Sequence, residues 1–151
     1  MITTDFNEFR STIPSTGSLL GLDVGQVRVG FAISDKNRMI ASAREVYTRR
    51  NIQIDTTYIQ HYIQKENIVG IVSGWPLQMN GVAAESCEMV MKLLKPLEAL
   101  IECPVFLQDE RLSTRAVSRV LMDAGLNRKQ RQAVDDKAAA TYLLQGILDR
   151  L

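Results

Sequence analysis

The run Leu19-Leu20-Gly21-Leu22-Asp23-Val24-Gly25-Gln26-Val27-Arg28-Val29-Gly30-Phe31-Ala32-Ile33-Ser34 constrains the fold more than any other stretch. It reads as two short strands, 19–24 and 27–34, joined by a tight Gly25-Gln26 turn. The first strand is almost wholly apolar, the pattern of a strand buried on both faces. Asp23 interrupts it. A carboxylate in such a place is costly unless a metal ion, an Arg or Lys, or backbone N–H groups compensate its charge. A structural aspartate capping a turn is the simplest reading of one such residue. That reading must also account for acidic positions at the far end of the chain.

Beyond this hairpin the chain changes period. Residues 39–48 give a third strand, so the first part is an antiparallel meander. Ile52, Thr56, Ile59 and Ile63 recur at helical spacing and predict a helix over 52–66. A buried strand follows at 68–74, then a loop over 75–81 containing Pro76 and Gly81. Ala83, Cys87, Val90, Leu94, Leu97 and Ile101 form another helical stripe, which Pro96 is expected to kink or stop near Lys95. The last strand spans 105–110, a helix capped by Ser113 or Thr114 runs to about 124, and a final helix runs from about 134 to the end. The expected fold is α/β: a five-stranded mixed sheet, its first three strands antiparallel and the rest parallel, with helices on both faces. Residues 1–18 read as a flexible leader and 19–151 as one domain.

Composition narrows the class. With 46% hydrophobic and 23% charged residues, the 151-residue chain reads as a soluble globular domain. Net charge is +1, so any basic footprint for nucleic acid must be local. No apolar run approaches the about 20 residues of a membrane span, and 1–18 lacks the order of a signal peptide; the expected location is cytoplasmic. Cys87 and Cys103 are the only cysteines, which suits a reducing compartment and supplies neither a zinc site nor a disulfide framework.

The acids gather where an open α/β sheet binds ligands. Asp23 lies near the end of the first strand, Asp109 and Glu110 end the last, and Asp135 and Asp136 open the final helix. Asp136 shares the stripe of Ala140, Leu143, Ile147 and Leu151 and is expected to face the sheet, whereas Asp135 falls off it. Ala138, Ala139 and Ala140 are small enough to let that helix lie close. Clustered carboxylates without His or Cys partners point to Mg²⁺ or Mn²⁺. Two such ions about 4 Å apart can activate water and stabilise a leaving oxygen in phosphodiester hydrolysis. Basic residues crowd beside the acids: Arg111, Arg115, Arg119, Arg128, Lys129, Arg131 and Lys137. Solvated helix faces explain most such runs, but next to a carboxylate cluster Arg111, Arg115 and Arg119 become candidates to hold a phosphate backbone. Trp75 could stack on a base, though packing over a sheet edge is the commoner use. His61 is given no role.

Four segments resemble the YqgF family, whose members are described as pre-16S rRNA nucleases and as Holliday-junction resolvases with an RNase H-like fold. They are Gly21-Leu22-Asp23-Val24-Gly25 with Arg28-Val29-Gly30; Gly74-Trp75-Pro76-Leu77 with Asn80-Gly81; Asp109-Glu110-Arg111-Leu112-Ser113-Thr114; and Asp136-Lys137-Ala138-Ala139-Ala140 with Leu144-Gln145. They occur in the family's order and cover about 19 to 150. The resemblance implies Asp23, Glu110 and Asp136 as catalytic and metal-holding residues; spacing alone leaves Asp109 and Glu110 equivalent. It implies a nuclease acting on precursor rRNA, or on branched DNA at the same site, as a monomer or homodimer and in association with ribosomal particles.

Two other classes compete. The actin and sugar-kinase phosphotransferases also carry Gly-x-Asp-x-Gly on a hairpin, but they need a second lobe and phosphate loop, and this chain has no repeat. A non-catalytic RNA- or ribosome-binding module could keep the fold; intact acids at three positions argue against a decayed site.

Overall fold

The computed structural model describes residues 1–77, 85–110 and 128–151, the side chains of 128–137 excepted. Within them the strands are β1 (Ile2–Thr3), β2 (Ser18–Val24), β3 (Arg28–Ser34), β4 (Ala41–Thr48), β5 (Ile68–Trp75) and β6 (Val105–Asp109). The helices are α1 (Phe6–Thr12), α2 (Ile52–Lys65), α3 (Glu85–Glu98) and α4 (Arg128–Leu148). The strands form one six-stranded sheet in the order β1-β6-β5-β2-β3-β4. β2, β3 and β4 are antiparallel, whereas β5 joins β2, and β6 joins β5, in parallel. The mixed architecture is the expected one, with one strand more than the five anticipated.

That sixth strand comes from the segment expected to be a flexible leader. Ile2 pairs with Val105, and the Val105 N–H donates to the Met1 carbonyl at 2.8 Å. Asp5 then caps α1, its Oδ1 accepting from the N–H groups of Asn7 and Glu8 at 2.9 and 3.2 Å. α1 presents Phe9, which is fully buried against Phe106 with ring centroids 5.5 Å apart. Phe6, Phe9 and Ile13 supply enough apolar surface to hold the segment on the sheet.

Each face of the sheet carries its own core, because alternate residues of each strand point to opposite sides. Leu20, Leu22, Val24 and Phe31 pack with Ile59 and Ile63 of α2 and Val90, Leu94 and Leu97 of α3. Leu19, Ala32, Val72 and Phe106 pack with Phe9 of α1 and Ala140, Leu143, Leu144 and Ile147 of α4. α3 does not stop at Lys95 but continues through Pro96 to Glu98. Pro96 lies in the last turn, and the buried Leu93, Leu94 and Leu97 around it keep the segment seated where only one helical hydrogen bond is lost. The hairpin tip is Gln26-Val27, one residue beyond the expected turn: the Gly25 N–H donates to the Arg28 carbonyl at 2.8 Å.

α4 begins at Arg128, about 1.7 turns before the expected start near 134, so Asp135 and Asp136 lie within it and do not open it. Its fit against β2 is close. A methyl group on Gly21 would stand 2.9 Å from the Ala140 carbonyl oxygen and 3.0 Å from Leu144 Cβ. Gln145 fixes the helix direction: its side chain donates to the Met39 carbonyl at 3.1 Å and accepts from the Ala41 N–H at 2.9 Å. The C-terminal end of α4 therefore lies by the start of β4, and its earlier turns run toward the carboxyl end of β2. β4 closes the sheet with Arg44 as an extra residue between the pairs Phe31↔Glu45 and Ala32↔Ala43, a bulge that blunts this edge. The helix expected over 113–124 and the loop residues 78–81 lie outside the described residues.

Candidate active site

Asp23 occupies the penultimate position of β2, paired with Gly30 of β3. Strand alternation places it on the α4 side of the sheet, in register with Leu19 and Gly21. Glu110 follows the last residue of β6, and its N–H donates to the Trp75 carbonyl at 3.3 Å. Its carboxyl hydrogen-bonds Asp23. Burial, then the charge of Asp23, then this hydrogen bond, and last the charge of Asp109 push the Glu110 carboxyl up to about 8. Beside the Asp23 charge and out of water, the Glu110 carboxyl keeps its proton well above the usual carboxylate range.

Geometry separates the two acids that spacing left equivalent. Asp109 pairs with Trp75 and belongs to the alternate row of β6 with Val105 and Leu107, on the α2–α3 side. Glu110, not Asp109, meets Asp23. Asp136 lies in α4 one helical turn before Ala140, in the direction of the Asp23 end of β2; its side chain lies outside those described. Arg111, Arg115 and Arg119 lie outside the described residues. Trp75 is half-buried at the end of β5 and packs against the core on the α2–α3 face, the packing use expected of it. His61 is exposed on α2.

The donor chemistry of Asp23 and Glu110 suits a hard divalent cation, which would neutralise the pair and displace the proton that Glu110 holds. Among the described residues no group of three His, Cys, Asp or Glu could hold a metal ion. The third acid expected from the sequence, Asp136, has its side chain outside those described.

A supporting network behind the hairpin was not read from the sequence. Asp55, 1% exposed, accepts from the Tyr47 hydroxyl at 2.8 Å, the Arg50 N–H at 2.9 Å and Arg49 Nε at 3.2 Å. Arg49 also donates through Nη1 to the Gly25 carbonyl at 3.0 Å and through its backbone N–H to Val27 at 2.8 Å. The turn that follows Asp23 is thus tied to β4 and α2. The signal was present: Asp55 falls four residues before Ile59 on the apolar stripe of α2, an unusual place for an acid. The hairpin tip also borders a groove of about 570 Å³, lined by Gln26, Arg49, Ile52, Ser86 and Lys92 among others. None of the described helices is long and apolar enough to cross a membrane.

Comparison with known proteins agrees with this architecture. A family model described as "RuvX: Holliday junction resolvase" matches residues 17–150. A relative from Ruegeria pomeroyi named "Putative pre-16S rRNA nuclease" is 36% identical over 151 residues, covering 100% of this chain and 98% of its own. One of the same name from Zymomonas mobilis is 37% identical over 141 residues, covering 93% of this chain and 86% of its own. Among solved structures, Thermus thermophilus RuvC in complex with a Holliday junction substrate superposes with a TM-score of 0.58 at 13% identity, covering 89% of this chain and 95% of that one. The fowlpox virus Holliday junction resolvase gives 0.56 at 13% identity, covering 89% and 99%. At such identity these structures speak to the fold, which is the RNase H-like one.

Proposed function

The chain belongs to the RuvX family, described as Holliday junction resolvase, and from that premise we propose that it is a metal-dependent endonuclease hydrolysing phosphodiester bonds in the maturation of precursor 16S rRNA. One observation carries the reading: an acid of β2 and an acid just past the end of β6 meet, hydrogen-bonded, at the carboxyl edge of the sheet. A purely structural aspartate at position 23 does not call for a second carboxyl beside it. The names borne by relatives of 34–37% identity favour precursor rRNA as substrate.

Asp23, Glu110 and Asp136 would hold Mg²⁺ or Mn²⁺, which when bound supplies Lewis-acid polarisation of the phosphoryl group and lowers the pKa of water. The protein's own contribution is to hold Asp23 of β2 and Glu110 past the end of β6 together, and in this reading α4 adds Asp136. α4 packs on the same side of the sheet. Arg111, Arg115 and Arg119 grip the phosphate backbone, and the protein works as a monomer or homodimer, on ribosomal particles or on free precursor. The family description favours a second reading, resolution of four-way DNA junctions at the same site. RNA and DNA are told apart by contacts to the 2′-OH and by duplex shape, not by the acids.

The test is cleavage of precursor 16S rRNA and of a four-way DNA junction by purified protein, side by side, in Mg²⁺, Mn²⁺ and EDTA. The proposal expects metal-dependent cleavage of the rRNA in preference to the junction. Preference for the junction would move the assignment to the second reading. Binding without cleavage of either would make the chain a non-catalytic module.

A further inference from the structure

Asp23 and Glu110 enter from strands that are not neighbours, since β5 lies between β2 and β6. Adjacent strands stand about 4.8 Å apart, so a side chain from the end of β6 must pass over β5 to reach β2. The β5 residue at the crossing is Gly74, paired with Gln108 of β6, while its neighbour Ser73 pairs with Leu22 of β2. The space a Cβ would fill at Gly74 is taken by Glu110: its Oε1 and Cδ overlap that position, and its Cγ lies 2.9 Å away. Just beyond, the Trp75 carbonyl accepts from both the Glu110 N–H and the Leu77 N–H, turning the chain back over β5.

We infer that Gly74 is a positioning residue: its missing side chain is the opening through which Glu110 reaches Asp23. The inference rests on the reading of these two acids as the reactive pair and adds to it the residue that lets them meet. The clash created by a larger residue falls on the far end of a flexible side chain, not on backbone. Gly74→Ala should therefore leave the sheet in place and swing the Glu110 carboxyl away from Asp23. Displacing a reacting group by about 1 Å can cost on the order of 100-fold in rate.

The experiment has a structural arm and a functional arm. A crystal structure of Gly74→Ala is expected to show Glu110 turned away with the sheet unchanged; Glu110 still hydrogen-bonded to Asp23 would overturn the inference. In the functional arm, Mn²⁺ affinity by calorimetry and cleavage of precursor rRNA are measured for wild type, Gly74→Ala, Glu110→Asp and the double variant. Gly74→Ala and Glu110→Asp should each weaken both readouts. In the Glu110→Asp background Gly74→Ala should cost little more, because the carboxyl it displaces has already been withdrawn from Asp23. Additive losses would contradict the inference. Should Gly74→Ala fold poorly, Gly74→Ala/Glu110→Ala decides: recovery of its melting temperature attributes the defect to the Glu110 clash, and no recovery assigns Gly74 to the strand alone and overturns the inference. A wild type that neither binds Mn²⁺ nor cleaves would sink the functional reading, while the crystal structure still decides the role of Gly74.

Discussion

The Glu110 carboxyl reaches across the whole width of β5 to hydrogen-bond Asp23, and it holds its proton far more tightly than an ordinary glutamate. An unfolded glutamate titrates near 4.5, whereas burial and then the Asp23 charge raise Glu110 to about 8. Across that window the folded state carries the extra proton. Stability of the metal-free protein therefore falls as pH rises through the window and levels off above it. A divalent cation competes with that proton, so stabilisation by Mg²⁺ should be small near about pH 5 and large near about pH 8. Thermal melts in EDTA and in Mg²⁺ check this, and Glu110→Gln should flatten the wild-type trend. Parallel profiles for the two proteins would remove Glu110 as its source.

The acidic pairs should separate by position. Glu110→Gln and Asp136→Asn should each lower cleavage by about 100-fold or more, as expected for loss of a group holding a catalytic cation. Asp109→Asn and Asp135→Asn should each cost far less. A dead Asp135→Asn alongside an active Asp136→Asn would show that the phase assigned to α4 is wrong.

The Arg49–Asp55–Tyr47 network should matter to stability before it matters to chemistry. Arg49→Ala leaves the buried Asp55 carboxylate without its cation, at a cost of about 3 kcal/mol. Tyr47→Phe removes one donor to that carboxylate and should cost about 2 kcal/mol. Because both act on Asp55, the double variant should lose less than the sum. Urea melts of the two single variants and the double variant measure this, and strict additivity would mean the two donors do not share Asp55.

Much of this arrangement was legible in the chain. The apolar run around Asp23, the helical stripes of α2 and α3, and the order of strands and helices follow from local periodicity, which sequence displays directly. Ala140, Leu143 and Ile147 do mark one buried face of α4, and the reading of Asp136 rests on that stripe. The choice of Glu110 over Asp109 came from the family resemblance, since a residue just past a strand end has no fixed phase. The leader was misjudged because its Thr, Ser, Pro and Gly residues outweighed the Phe6, Phe9, Ile13 stripe, whose burial depends on Phe106 far along the chain. Gly74 was legible as part of a family segment but not in its role. Its role exists only because β5 lies between β2 and β6, and strand order is a property of the assembled sheet.

The basic residues offer a test that does not depend on chemistry. If Arg115 and Arg119 each hold a phosphate, changing both to Ala should flatten the dependence of log affinity on log salt by up to ~2 units for RNA and leave metal binding unchanged. Titration of labelled precursor RNA at several KCl concentrations reads this slope. A slope equal to wild type would assign both residues to the solvated surface, where such charges contribute ~1 kcal/mol or less.

The most direct measurement is single-turnover cleavage of precursor 16S rRNA in Mg²⁺ by wild type and Asp23→Asn, with the melting curve of each recorded. The amide keeps the shape of the side chain and removes its charge. The account predicts a folded variant whose cleavage rate falls by about 100-fold or more. A folded Asp23→Asn protein that cleaves at the wild-type rate would contradict it.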